Sequence, residues 1–112
     1  MELRIEDDTL RLRLSDAEVQ EFAATGRVAA AVHFGATADQ RLTYALERTV
    51  PAEGPGSTVR VRYAPGALTV LVPEALADAW TGTDQNGFSE RVALADARQL
   101  RILVEKDLDC RH

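Results

Sequence analysis

Apolar and polar residues alternate along this chain in short runs. Leu3 and Ile5 are interleaved with Glu2, Arg4 and Glu6, and after Asp7-Asp8 the residues Leu10, Leu12 and Leu14 are interleaved with Arg11 and Arg13. A period of two marks a half-buried strand, so the two runs predict a β-hairpin turning at Asp7-Asp8. Ser15-Asp16-Ala17-Glu18 then has the form of a capping box, in which the Ser15 hydroxyl accepts from the Glu18 amide and Glu18 reaches back. Leu14 and Val19 stand where a hydrophobic staple would close that cap. Val19, Phe22 and Ala23 follow at helical spacing, and Gly26 supplies a left-handed stop. Val28, Ala30, Val32 and Phe34 predict a third strand, and Leu42, Tyr44 and Leu46 a fourth.

The pattern then restarts. Val59, Val61 and Tyr63 turn through Ala64-Pro65-Gly66 into Leu68, Val70 and Val72. Pro73 opens a second helix, with Glu74 in the first turn at the positive end of its dipole and Leu76, Ala77 and Trp80 as its buried stripe. Two more strands are expected around Phe88–Leu94 and Leu100–Lys106. A displacement of 58 positions lays the first hairpin, helix start and last strand on their later counterparts without a gap. It matches Phe22 to Trp80 and keeps Arg4/Arg62, Leu10/Leu68, Ala17/Ala75, Thr25/Thr83, Leu42/Leu100 and Glu47/Glu105 identical, with a small insertion between helix and third strand.

The expected fold class is therefore α+β: a duplicated ββαββ module with about eight mainly antiparallel strands, curled or barrel-like, and two helices packed on the apolar face. At 112 residues the chain is expected to be a single domain, with repeats over about 1–50 and 57–107 and a Pro- and Gly-rich linker over 51–56. The apolar face collects Leu3, Ile5, Leu10, Leu12, Leu14, Leu42, Tyr44, Leu46, Val59, Val61, Leu68, Val70, Val72, Leu100, Ile102 and Val104.

Strand parity sends the intervening residues to the opposite face. There it collects Arg4, Arg11, Arg13, Arg41, Arg60, Arg62, Arg91 and Arg101, with Glu2, Glu6, Glu47, Glu105 and His33. By simple charge addition this face holds about +4, in a chain whose net charge is −5. Guanidinium groups match phosphate and carboxylate with paired donors, so a convergent set makes an anion site. On an open sheet the same residues also read as solvated strand exteriors laced by salt bridges. The candidate ligand-binding residues are Arg4, Arg11, Arg13, Arg60, Arg62 and Arg101, with Glu47 and Glu105. Leu71 and Leu103 have core-mismatched parity, which gives the face an apolar component suited to an oligomer contact.

An acidic chain argues against general nucleic-acid binding, which needs many cations to displace counterions. No apolar run reaches the length of a membrane span, and Met1-Glu2-Leu3-Arg4 enters a strand pattern directly without a signal region. One cysteine, Cys110, cannot close an intramolecular disulfide, so a soluble protein of a reducing compartment, the cytoplasm, is expected. Glu105-Lys106-Asp107 reads as a charged strand terminus, with an acid, base or cation-ligand role as the alternative. Cys110 and His112 have a ligand-like spacing, but zinc wants about four donors and the other histidine is His33. No catalytic residue, metal or cofactor is assigned.

With Leu10-Arg11-Leu12-Arg13-Leu14-Ser15, His33-Phe34-Gly35, Leu42-Thr43-Tyr44-Ala45-Leu46-Glu47, Val72-Pro73 and Leu103-Val104-Glu105-Lys106-Asp107-Leu108-Asp109-Cys110, the chain resembles a family of short, uncharacterised bacterial proteins classed as a domain of unknown function. The resemblance implies a standalone bacterial protein and carries no established activity. In architecture alone the chain is similar to the triphosphate-tunnel superfamily, whose duplicated α+β units form polar barrels around phosphates and metal-binding glutamates. That superfamily begins with two glutamates one residue apart, whereas Glu2 and Glu6 are here separated by Leu3-Arg4-Ile5. The function expected is a noncatalytic module that binds a small anionic ligand, such as a phosphorylated one, on the arginine-bearing face. The alternative is a protein-interaction or homodimerisation module working through Leu71 and Leu103. A tunnel-type metal-dependent phosphohydrolase using Glu47 and Glu105 ranks third.

Overall fold

The computed structural model describes residues 1–49 and 58–107. The linker at 51–56, and Cys110 and His112, lie outside the described residues. The strands are β1 (Glu2–Glu6), β2 (Thr9–Leu14), β3 (Arg27–His33), β4 (Arg41–Thr49), β5 (Arg60–Ala64), β6 (Ala67–Pro73), β7 (Gly87–Ala93) and β8 (Gln99–Lys106). Helix α1 (Asp16–Thr25) follows β2, and helix α2 (Glu74–Gly82) follows β6. The order is ββαββ twice, and the fold is α+β.

The eight strands form two four-stranded sheets, ordered β1-β2-β8-β7 and β3-β4-β6-β5, and neither closes into a barrel. The hairpins are antiparallel, but β2 runs parallel to β8 and β4 parallel to β6. Each sheet therefore joins the first hairpin of one repeat to the last hairpin of the other. The repeat is exact at its centre: Leu10 pairs with Ile102, and Leu68, 58 positions later, pairs with Tyr44, 58 positions earlier. The insertion is two residues long, because Glu47 and Glu105 are 58 apart while their partners Arg27 and Gly87 are 60 apart.

Both helices begin and end as their sequences dictate. Ser15 caps α1 with both bonds of the capping box formed, and the stapling residues Leu14 and Val19 are buried. Gly26, at φ +81°, donates its amide to the Phe22 carbonyl at 2.8 Å and ends the helix. A cation from the last strand of the same repeat then satisfies each helix C-terminus. Arg48 Nη1 donates to the Ala23 carbonyl at 3.1 Å, and Lys106, 58 positions later, donates Nζ to the Thr83 carbonyl at 2.9 Å. Lys106 also lies 5.9 Å from the centre of the Trp80 ring. This lysine of the charged terminus thus has a structural partner on each side.

The inner faces of both sheets and the two helices share one core, including Leu12, Leu14, Leu46, Val70, Val72, Ile102 and Val104. At its centre Phe22 meets Trp80 edge-on at 6.0 Å, so the repeat-equivalent aromatics of α1 and α2 pack on one another. Trp80 in turn meets Phe88 edge-on at 5.5 Å and donates its indole N–H to the Asn86 carbonyl at 3.1 Å. The apolar pattern overreaches at strand ends: Phe34, expected in the third strand, follows β3 and is 71% exposed. Ile5 is 60% exposed and its equivalent Tyr63 is 73% exposed, because both sit on edge strands beside the hairpin turns, beyond the packed helices.

Glu18 also accepts from the Met1 ammonium, which ties the start of β1 to α1. Burial pushes this carboxyl up, but the bonds from the Met1 ammonium and the Ser15 amide outweigh it and hold its pKa below the ordinary value. A depressed folded-state pKa stabilises the fold above the unfolded pKa, and that stability is lost as pH falls through the folded one. Thermal melts from about pH 7 to about pH 3 are expected to show the wild type losing its advantage over Glu18→Gln as the carboxyl protonates. A difference that stays constant across that range contradicts the assignment.

Candidate functional site

Register and parity place the arginines, and the division into two sheets gives them two outer faces. On the first sheet the cross-strand rows are Glu2–Arg13–Glu105–Gly87, Arg4–Arg11–Leu103–Ser89 and Glu6–Thr9–Arg101–Arg91. On the second they are Arg60–Leu71–Glu47–Arg27 and Arg62–Thr69–Ala45–Ala29, with Arg41 opposite His33 further along. Arg4, Arg11, Arg13, Arg101 and Glu105 are thus on one face, and Arg60, Arg62 and Glu47 on the other. The repeat-conserved pairs Arg4/Arg62 and Glu47/Glu105 do not meet on a common axis. Each glutamate has its own set of arginines on its own sheet, so the two carboxylates do not form the pair a shared divalent ion would need.

Each glutamate is held between two guanidinium groups. Glu105 lies 3.6 Å from Arg11 Nε and 3.9 Å from Arg13 Nη2, and Arg13 Nη1 is 3.9 Å from Glu2. Glu47 lies 3.3 Å from Arg27 Nε and 3.6 Å from Arg62 Nη2. Only Arg27 is close enough for a hydrogen bond. These groups are roughly one-quarter to three-fifths exposed, so each pair contributes on the order of 0–1 kcal/mol. Their main effect is geometric. Arg62 reaches Glu47 from the edge strand β5 by crossing β6 between Thr69 and Leu71, and both are buried beneath it, with Leu71 only 9% exposed. Leu71 is therefore covered within the chain, and Leu103 lies on the other sheet, half-buried, so the two leucines do not make one apolar patch.

Arg27 escaped the sequence reading, which began the third strand at Val28. One further step of the same alternation, back to the residue after Gly26, would have found it opposite Glu47.

The remaining arginines differ between the faces. Among the described residues Arg4, Arg91 and Arg101 on the first sheet, and Arg41 and Arg60 on the second, have no carboxylate partner. Arg60 and Arg41 lie in separate rows and on separate strands. Arg91 and Arg101 are direct cross-strand neighbours in the antiparallel pair β7–β8, with Thr9 on the other side of Arg101. Like charges placed directly opposite are unfavourable, so this pair is a local concentration of uncompensated positive charge. Counted over its strands, the first outer face carries five arginines against Glu2, Glu6 and Glu105.

A hollow of about 270 Å³ lies on this sheet, lined by Asn86, Gly87, Phe88, Ser89, Leu103 and Glu105. It exists because Gly87 occupies the position beside Glu105 that Arg27 occupies beside Glu47. A Cβ at Gly87 would stand 2.5 Å from the Val104 carbonyl oxygen, so β7 approaches β8 there as only glycine allows. A second hollow, of about 230 Å³, is lined by Ala38, Asp39, Arg41, Pro65 and Gly66 and carries both charges.

No curated protein and no solved structure matches the chain. A family model described as "Family of unknown function (DUF7009)" matches residues 1–112. The family resemblance carried by the strand and C-terminal motifs is thereby shown at the level of an uncharacterised domain: the chain belongs to the DUF7009 family.

Proposed function

We propose that this chain is a noncatalytic module that binds a small oxyanion, phosphate in the first instance, on the outer face of its first sheet at Arg91 and Arg101. The observation that carries this reading is the direct cross-strand opposition of Arg91 and Arg101, neither of which has a carboxylate partner among the described residues. An anion between them replaces repulsion with charge-assisted hydrogen bonds, and the guanidinium fork suits a phosphate oxygen pair. The Thr9 hydroxyl flanks Arg101, and Arg4 and Arg11 add positive charge from the next row. Arg13 and Glu105 fix Arg11 rather than contact the anion. The setting that goes with this reading is the cytoplasm of a bacterium, supported by the lone Cys110 and by the family resemblance of the Val-Glu-Lys-Asp stretch.

The reading makes two linked predictions for Arg91→Gln. Without anion the variant is expected to be more stable than wild type by a few tenths to about 1 kcal/mol, since a like-charge neighbour is gone. With phosphate, sulfate or polyphosphate the wild type gains thermal stability, with or without magnesium, while Arg91→Gln and Arg101→Gln lose most of that gain and Arg60→Gln keeps it. Thermal-shift titrations measure both. No gain with any anion, or an equal gain in all variants, sinks the proposal.

A second reading, an interaction or homodimerisation module, draws on a different observation. Among the described residues, four of the five exposed large apolar residues form repeat-related pairs, Ile5 with Tyr63 and Phe34 with Leu94, the fifth being Val32. It predicts a dimer in light scattering that Tyr63→Ser and Phe34→Ser return to monomer. A wild-type monomer at high concentration removes the homodimer.

A further inference from the structure

The hollow beside Gly87 has no role in binding a bare anion, yet it leads directly to the arginine pair. Along β7 and β8 the rows run Gly87/Glu105, Ser89/Leu103, Arg91/Arg101. The last row is two residues, or about 7 Å, beyond the leucine that lines the hollow. The hollow is open to solvent and has a volume of about 270 Å³, so a compact ring lying in it covers one face and leaves the other exposed. Its lining combines the apolar residues Leu103 and Phe88 with the polar residues Ser89 and Asn86. At its far end Glu105 already engages Arg11 and Arg13, so the arginines without a carboxylate partner among the described residues lie at the other end and a ligand in the hollow has its charge there. Two guanidinium groups match the charge of about −2 of a phosphomonoester dianion better than that of a carboxylate.

Resting on the anion-binding reading above, we infer that the ligand is a phosphomonoester carrying a compact apolar group, its phosphate on Arg91 and Arg101 and its apolar body over Leu103 in the Gly87 hollow. The hollow is formed by residues of the second repeat. The equivalent place on the other sheet has Arg27 opposite Glu47, and Ala45 where Leu103 stands. One sheet thus has glycine beside its central glutamate, and the other has an arginine paired to it.

Calorimetric titration of the full chain with inorganic phosphate and with phenyl phosphate tests this. Phenyl phosphate is expected to bind about tenfold more tightly, the gain supplied by burying some ~60 Å² of ring. Leu103→Ser is expected to abolish that preference while leaving the affinity for inorganic phosphate unchanged. Ser89→Leu, on the exposed side of β7, fills the hollow and serves as a second variant with the same expected result. If inorganic phosphate binds and phenyl phosphate binds no better, or if the preference survives both substitutions, the inference is overturned and the anion site stands. If neither compound binds, the anion reading fails and the inference fails with it.

Discussion

The structure depends on the two parallel strand pairs at the centres of its sheets, β2 with β8 and β4 with β6. Each pair joins strands from different repeats, so neither ββαββ unit owns a four-stranded sheet. A two-stranded hairpin is marginal in water, and each hairpin here gains its third and fourth strands only from the other copy. The chain thereby solves a size problem. Half of 112 residues would bury too little apolar surface, whereas exchange gives both hairpins and both helices a single core. Phe22 and Trp80 meet in that core because the exchange brings equivalent points of the repeats together.

The same exchange determines where chemistry can sit. The arginine row of the first sheet is composite: Thr9 comes from the first repeat, Arg101 and Arg91 from the second. Once two copies share a core, the inner positions are constrained in both, while the outer positions are free to diverge. They have diverged in opposite directions. One face spreads its charge and places Arg27 against Glu47; the other opens a hollow at Gly87 and sets Arg91 opposite Arg101. The ion pairs around Glu47 and Glu105 order the long side chains more than they stabilise the fold, since exposed pairs contribute little net free energy.

Much of this was legible in the sequence because it is local. Alternation of Leu10, Leu12 and Leu14 with arginine, the Ser15–Glu18 box and the Gly26 stop each specify their element within a few residues, and the coincidence of hairpin, helix start and last strand at a displacement of 58 positions identified the repeat. Parity likewise identified Arg4, Arg11, Arg13, Arg60, Arg62 and Arg101 as outward. It could not say which sheet each belonged to, because that is decided by pairing between strands of different repeats, Leu10 with Ile102 and Tyr44 with Leu68. For the same reason a single arginine face was expected and two were found. The opposition of Arg91 to Arg101, and of Gly87 to Glu105, is a property of register that no composition reveals. The clamps of Arg48 and Lys106 on the helix ends are equally non-local.

The most direct test of the account is to map where phosphate lands. In a titration of the ¹⁵N-labelled chain followed by amide chemical shifts, the account predicts saturable changes at Thr9, from Ser89 to Arg91 and from Arg101 to Leu103. Arg27, Glu47 and Arg62 are predicted to stay unmoved. Changes centred on the second sheet, or a diffuse response that follows ionic strength alone, would contradict it.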